Sequence, residues 1–105
     1  MQKEIDKNSL YSIIMYYQGG TYISQVKAKE IKDALILWIK NLDVSVIEKF
    51  SNEDKKELQN LVIEETPCLI DGMENIWYAD FLLGKNYMHA HIIKTEGSIH
   101  DLADL

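Results

Sequence analysis

The chain contains no arginine at all, one cysteine, one proline and no apolar run long enough to cross a bilayer. Each shortage excludes something. Nucleic-acid binders need clustered cations to displace counterions, and they favour the arginine fork for phosphates and base edges. With 17 acids against 11 lysines and a formal net charge of -6, nucleic acid is not an expected partner. A lone Cys68 excludes an intramolecular disulfide framework and suits a reducing compartment. The longest apolar run, Ala34 to Ile39, spans six residues and cannot serve as a membrane helix. The opening Met1 to Asn8 is polar and lacks the apolar centre of a secretory signal. A cytoplasmic, soluble chain with no membrane partner is therefore expected. Glycines are few, and those present read as turn residues, so no phosphate-cradling loop and no cofactor is expected.

The charge is uneven. Residues 1 to 63 hold 9 acids and 9 lysines, whereas residues 64 to 105 hold 8 acids and only Lys85 and Lys94. The excess belongs to the last two-fifths of the chain. At 105 residues the chain is one domain by length, with its core over about 9–95 and tails at 1–8 and 96–105.

Two hairpins bracket two helices. Gly19-Gly20 lies between aromatic-rich apolar segments, and reading it as a two-residue loop pairs Tyr17 with Tyr22, Met15 with Ser24 and Ile13 with Val26. Tyr11, Ile13, Met15 and Tyr17 then form the core face, with Ser12, Ile14 and Tyr16 opposite. A helix over about Lys29–Leu42 carries Ile31, Ala34, Leu35, Trp38 and Leu42 on one stripe, widened by Ile36, Leu37 and Ile39. Ser51-Asn52-Glu53-Asp54 resembles a capping box for a second helix that runs to about Glu65, where Thr66-Pro67 ends it. That helix buries Leu58, Leu61 and Val62, and Lys55 and Lys56 belong to its solvated side. Cys68-Leu69-Ile70 is a candidate short edge strand with a buried thiol. Ile76–Leu83 and Asn86–Thr95 then flank Gly84-Lys85, where glycine at the first central position suits a type II′ turn. This register pairs Phe81 with Met88, Ala79 with Ala90 and Trp77 with Ile92. Trp38 and Trp77 are read as core. In the tail, Ser98 is a candidate N-cap for one turn containing Ile99, Leu102 and Ala103. The expected fold is α+β in the order ββααββ, a four-stranded antiparallel sheet with two helices on one face.

The outer face of the second hairpin carries the most suggestive chemistry. Asp80 falls opposite His89 and Tyr78 opposite His91, with Leu82 and Tyr87 beyond. Two histidines two residues apart on a strand, with a carboxylate across from one, make Asp80, His89 and His91 a candidate metal or acid–base set. The bland alternative is a solvated face of ordinary cross-strand pairs. A catalytic reading lacks a nucleophile, since Cys68 reads as structural. If both hairpins share one sheet, Ile14, Tyr16, Ile23, Tyr78, Asp80, Tyr87, His89 and His91 all lie away from the helices. Tyrosine offers a large apolar body with a polar tip and is enriched at protein interfaces. Such a face suits a basic protein partner, a second copy in a homodimer, or a terminal tail of the same chain.

The run Gly19-Gly20-Thr21-Tyr22-Ile23-Ser24-Gln25-Val26 leads into Ala34-Leu35 and Trp38 of a helix. With Asp71-Gly72 and Asn75-Ile76-Trp77 further on, it resembles the small immunity proteins of bacterial toxin systems. The likeness covers most of the chain but rests on pattern rather than on a family-specific motif. It implies a non-catalytic cytoplasmic protein that binds and blocks a cognate toxin, often a basic nuclease, through an acidic surface. The opening hairpin and helix are also similar to HicB-type antitoxins, although no further DNA-binding segment accompanies them. The runner-up is a small metal-binding protein or enzyme using Asp80, His89 and His91; a homodimer of other role is the third reading.

Overall fold

The computed structural model describes residues 8–95. The elements are β1 (Ser9–Tyr17), β2 (Gly20–Ala28), α1 (Ile31–Lys40), a 3₁₀ turn (Val44–Val46), α2 (Asn52–Glu64), β3 (Cys68–Leu69), β4 (Ile76–Leu83) and β5 (Asn86–Thr95). The proposed turn at Ser98, with Ile99, Leu102 and Ala103, lies outside the described residues. No helix among the described residues is long and apolar enough to cross a membrane.

All five strands form one antiparallel sheet in the order β2-β1-β5-β4-β3. The α+β class with two helices holds, but the sheet has five strands rather than four. The additional strand is β3, whose two residues pair Cys68 with Tyr78 and Leu69 with Trp77. The two hairpins join through β1 and β5, so the first and last strands lie side by side in the middle of the sheet. β1 suits this place because SLYSIIMYY is apolar on both of its faces, whereas β2 alternates toward polar residues on one face.

One face of the sheet is the core. Tyr11, Ile13, Met15 and Tyr17 of β1, Val26 and Ala28 of β2, Ala79, Phe81 and Leu83 of β4, and Met88, Ala90 and Ile92 of β5 are all buried. Ala34, Leu35, Trp38 and Ile39 of α1 and Leu58 and Val62 of α2 close over them. The helical stripe is narrower than its composition implies. Ile36 is exposed, because the buried positions 34, 35, 38 and 39 lie on one side and residue 36 points away from it. Trp38 is deeply buried, while Trp77 is half-buried with its ring 6.2 Å from that of Tyr11.

The second hairpin has the register read from its sequence, Leu83 to Asn86 and Trp77 to Ile92 included. Gly84 takes φ +64 and Lys85 does not enter the left-handed region, which is the II′ pattern. The first hairpin differs. Its loop is Gln18-Gly19, not Gly19-Gly20, so Tyr17 pairs with Gly20 and Met15 with Tyr22. Both loop residues have positive φ, +49 and +81, the signature of a type I′ turn. The slip moves each partner by two residues, which preserves the faces. Gly20 serves a packing purpose instead: a Cβ there would stand 2.6 Å from the Tyr22 hydroxyl, which accepts a hydrogen bond from the Glu48 N–H at 3.2 Å. Since Asn-Gly is the favoured I′ pair and a left-handed glutamine is costly, Gln18→Asn should stabilise the fold by about 0.5–1 kcal/mol. Thermal denaturation would register this as a rise of a few degrees.

Helix ends are tied reciprocally. Ser51 and Asp54 form a full capping box at the start of α2, with Asp54 N–H donating to Ser51 Oγ and Ser51 N–H to Asp54 Oδ2. The Lys55 ammonium donates to the carbonyls of Lys40 and Leu42 at the end of α1, at 3.1 and 2.8 Å. Lys32 of α1 donates to the carbonyl of Glu65 at the end of α2. Lys55 is therefore no solvated bystander: each helix supplies a cation to the negative end of the other's dipole.

Candidate functional site

The face of the sheet opposite the helices brings together all the residues singled out from the sequence. Crossing it from β2, one row reads Thr21, Tyr16, His89, Asp80, and the next Ile23, Ile14, His91, Tyr78, Cys68. Tyr87 and Leu82 extend it at the second hairpin's turn, and Ile76 and Ile93 lie on the far side. Lys27 and Asp80 are the only charged residues that these strands place on it. Ile23, Leu82, Tyr87 and Tyr16 are exposed, the first at 70%. No other described element covers this face.

Five rings form a continuous ribbon across the middle. Tyr87 stacks on His89 with centroids 6.1 Å apart and planes inclined by 16°. His89 stacks on Tyr78 at 6.0 Å, Tyr78 meets His91 at 5.2 Å, and His91 meets Tyr16 edge-on at 5.9 Å and 86°. Such contacts fix each ring in orientation without burying it. The β1–β5 pairing creates the last link, placing Tyr16 opposite His89 and Ile14 opposite His91. That pairing joins strands at the two ends of the chain, and the one sequence signal for it was a β1 apolar on both faces.

The Tyr78 hydroxyl and His89 Nδ1 share a hydrogen bond of 2.5 Å, so the imidazole's Nδ1 is held by a tyrosine and not by Asp80. Partial burial, reinforced by the negative charge of Asp80, pushes the Tyr78 phenol above its usual value of 10.0. A raised acid keeps its proton longer in the folded than in the unfolded chain. Its contribution to stability is therefore whole below pH 10.0 and is lost as pH rises through the raised value. In an ultraviolet phenolate titration, Tyr78→Phe should remove one late-ionising phenol from the curve, and the alkaline decline in stability should become shallower.

Asp80, His89 and His91 share the face as expected. Among the described residues, however, no group of three or more His, Cys, Asp or Glu side chains is arranged to hold a metal ion. Cys68 departs from its expected burial. It is exposed, because β3 is a two-residue edge strand and the thiol faces the outer side of the sheet beside Tyr78. What remains is a nearly uncharged aromatic and aliphatic surface laid over a rigid sheet. No protein-family model, curated protein or solved structure matches this chain.

Proposed function

We propose that this chain is a non-catalytic protein-binding domain whose outer sheet face receives a basic partner protein, and that the binding neutralises a toxin. The observation that carries the reading is the ribbon Tyr87–His89–Tyr78–His91–Tyr16, flanked by Ile14, Ile23 and Leu82 on a face with only Lys27 and Asp80 charged. Contiguous apolar surface of this kind is a mark of an interaction site in a water-soluble fold. Tyrosines already held in place by neighbours lose little side-chain freedom on binding, which favours them as anchors. The basic character of the partner is argued from the net charge of -6 and the lack of arginine: guanidinium groups would come from the other side, steered by the chain's overall negative charge.

A second copy of the chain is the competing occupant, favoured by the near neutrality of the face, which avoids like-charge repulsion in a symmetric dimer. Light scattering of the wild type beside Tyr87→Ala decides this, since a dimer that Tyr87→Ala breaks has its outer face occupied by a second copy. The toxin reading is tested by recovering the protein that binds the tagged chain and expressing it alone. Growth arrest relieved by co-expression of this chain supports neutralisation. A recovered partner that is harmless on its own sinks it.

A further inference from the structure

The free edge of β2 differs from the other edge of the sheet. In a two-residue hairpin the loop-flanking pair, here Tyr17 and Gly20, exchanges hydrogen bonds, and such pairs alternate along the ladder. Gly20, Tyr22, Ser24, Val26 and Ala28 therefore bond to β1, and the N–H and C=O groups of Thr21, Ile23, Gln25 and Lys27 point outward. No backbone hydrogen bond from the described residues reaches them. Folds ordinarily guard such a row with a bulge, a proline, charges or a very short strand. The opposite edge has that protection, since β3 is two residues long and Asp80 lies on the strand beyond it. β2 has nine residues in unbroken register, no proline and one charge, Lys27, near its end.

Beside this edge, on the helix side of the sheet, runs a groove of about 410 Å³ lined by Tyr22, Val26, Trp38, Leu42, Asp43 and Ile47 among others. α1 leaves the turn-proximal half of β2 incompletely covered: Tyr22 and Ser24 are half-buried where Val26 and Ala28 are buried. The lining holds one unsatisfied polar group and one charge. The indole N–H of Trp38 is buried and has no acceptor among the described residues. Asp43 is exposed and is the one charged residue in the wall, and its Oδ1 accepts from the Ser45 N–H at 3.0 Å and the Ser45 hydroxyl at 2.6 Å. Those bonds, with a smaller contribution from Lys55, hold its carboxyl below the ordinary value, so it is an anion at neutral pH.

We propose that β2 and this groove bind an extended segment of a partner protein, which adds to the sheet as a sixth strand. Its main chain bonds to Thr21, Ile23, Gln25 and Lys27, its alternate apolar side chains enter the groove, and a lysine or arginine among them meets Asp43. In strand addition the backbone supplies affinity and the pockets for alternate side chains supply specificity. The edge adjoins the aromatic ribbon at Ile23 but does not include it, and Tyr87→Ala tells the two sites apart.

The test is selection of a displayed library of random twelve-residue peptides on the full chain, followed by binding of the enriched peptide to variants. The expected consensus alternates apolar residues and contains one basic residue. Ile23→Pro, which removes an outward N–H at a position where an edge strand tolerates proline, should weaken that peptide about tenfold or more. Asp43→Asn should weaken it severalfold, and Tyr87→Ala should leave it unchanged. Should Ile23→Pro not fold, amide exchange on the native chain replaces it: the Ile23 and Gln25 amides should exchange rapidly when free and slow at least about tenfold with peptide bound. Enrichment of no alternating peptide, unchanged binding to Ile23→Pro, or unchanged exchange at Ile23 and Gln25 overturns the proposal. So does a wild-type dimer that becomes monomeric as Ile23→Pro, because the edge would then belong to a second copy.

Discussion

Tyr16→Ala combined with Tyr78→Ala is expected to weaken partner binding by about a hundredfold to a thousandfold while leaving the fold intact. The estimate takes two anchors worth about 2 kcal/mol each and allows for their non-additivity. Both rings are on the outer face, Tyr16 at 39% exposure and Tyr78 half-buried, so neither removal opens a cavity in the core. The two anchors are not equivalent. Tyr16 touches the ribbon only through the edge of His91, whereas Tyr78 contacts both His89 and His91 and shares the bond to His89 Nδ1. Tyr78→Ala should therefore cost more than Tyr16→Ala alone, because it also releases two imidazoles from fixed orientations. Titration calorimetry or surface-based kinetics would read the loss, and it should fall mainly on the dissociation rate.

The largest effect on stability is expected at the opposite face of the same strand. Ile13 has no exposed surface and pairs with Ser24 on one side and Ile92 on the other, in the middle of β1. Ile13→Ala removes three buried carbons from a site braced by two neighbouring strands and covered by helices, so little collapse can fill the space. A loss of about 3–4 kcal/mol follows, within the usual range for such truncations. For a chain this size that is a large fraction of the total, and thermal unfolding should begin some 12–20 °C earlier. Ile14→Ala, one residue along but on the outer face, should cost about 1 kcal/mol or less, since Ile14 is only half-buried. The contrast between adjacent isoleucines measures the two faces of β1 directly.

These two faces were readable in the sequence because strand parity survives errors of register. Reading Gly19-Gly20 as the loop displaced every cross-strand partner by two residues and yet put Met15 and Tyr16 on their correct sides. The error itself is physical. A diglycine is a good turn, but here Gly20 is needed so that the Tyr22 ring can lie over it, and Gln18 takes the strained left-handed position instead. At the second hairpin no such competition exists, and Gly84-Lys85 fixed the register correctly. The capping box at Ser51 and Asp54 was equally legible, because it is a local contact between residues three apart. Legibility failed where distance in sequence was large. The β1–β5 pairing, the reciprocal lysine caps of α1 and α2, and the exposure of Cys68 on a two-residue strand all depend on which elements meet, which spacing does not encode.

The candidate face was assembled from the same ingredients. Tyr78, Asp80, Tyr87, His89 and His91 followed from one correct hairpin register, and their union with Ile14, Tyr16 and Ile23 required both hairpins to share a sheet. The ring contacts add what the sequence lacked: an order, from Tyr87 to Tyr16, and an orientation for each ring.

Site-specific photo-crosslinking in the native cell shows whether this face is the binding surface. A benzophenone side chain placed at Tyr87 on the ribbon is compared with one at Ile63, which is exposed on α2 on the far side of the sheet. Position 87 is expected to yield a covalent adduct with one discrete, basic protein, and position 63 is not. An adduct at position 63 with none at position 87 would contradict it.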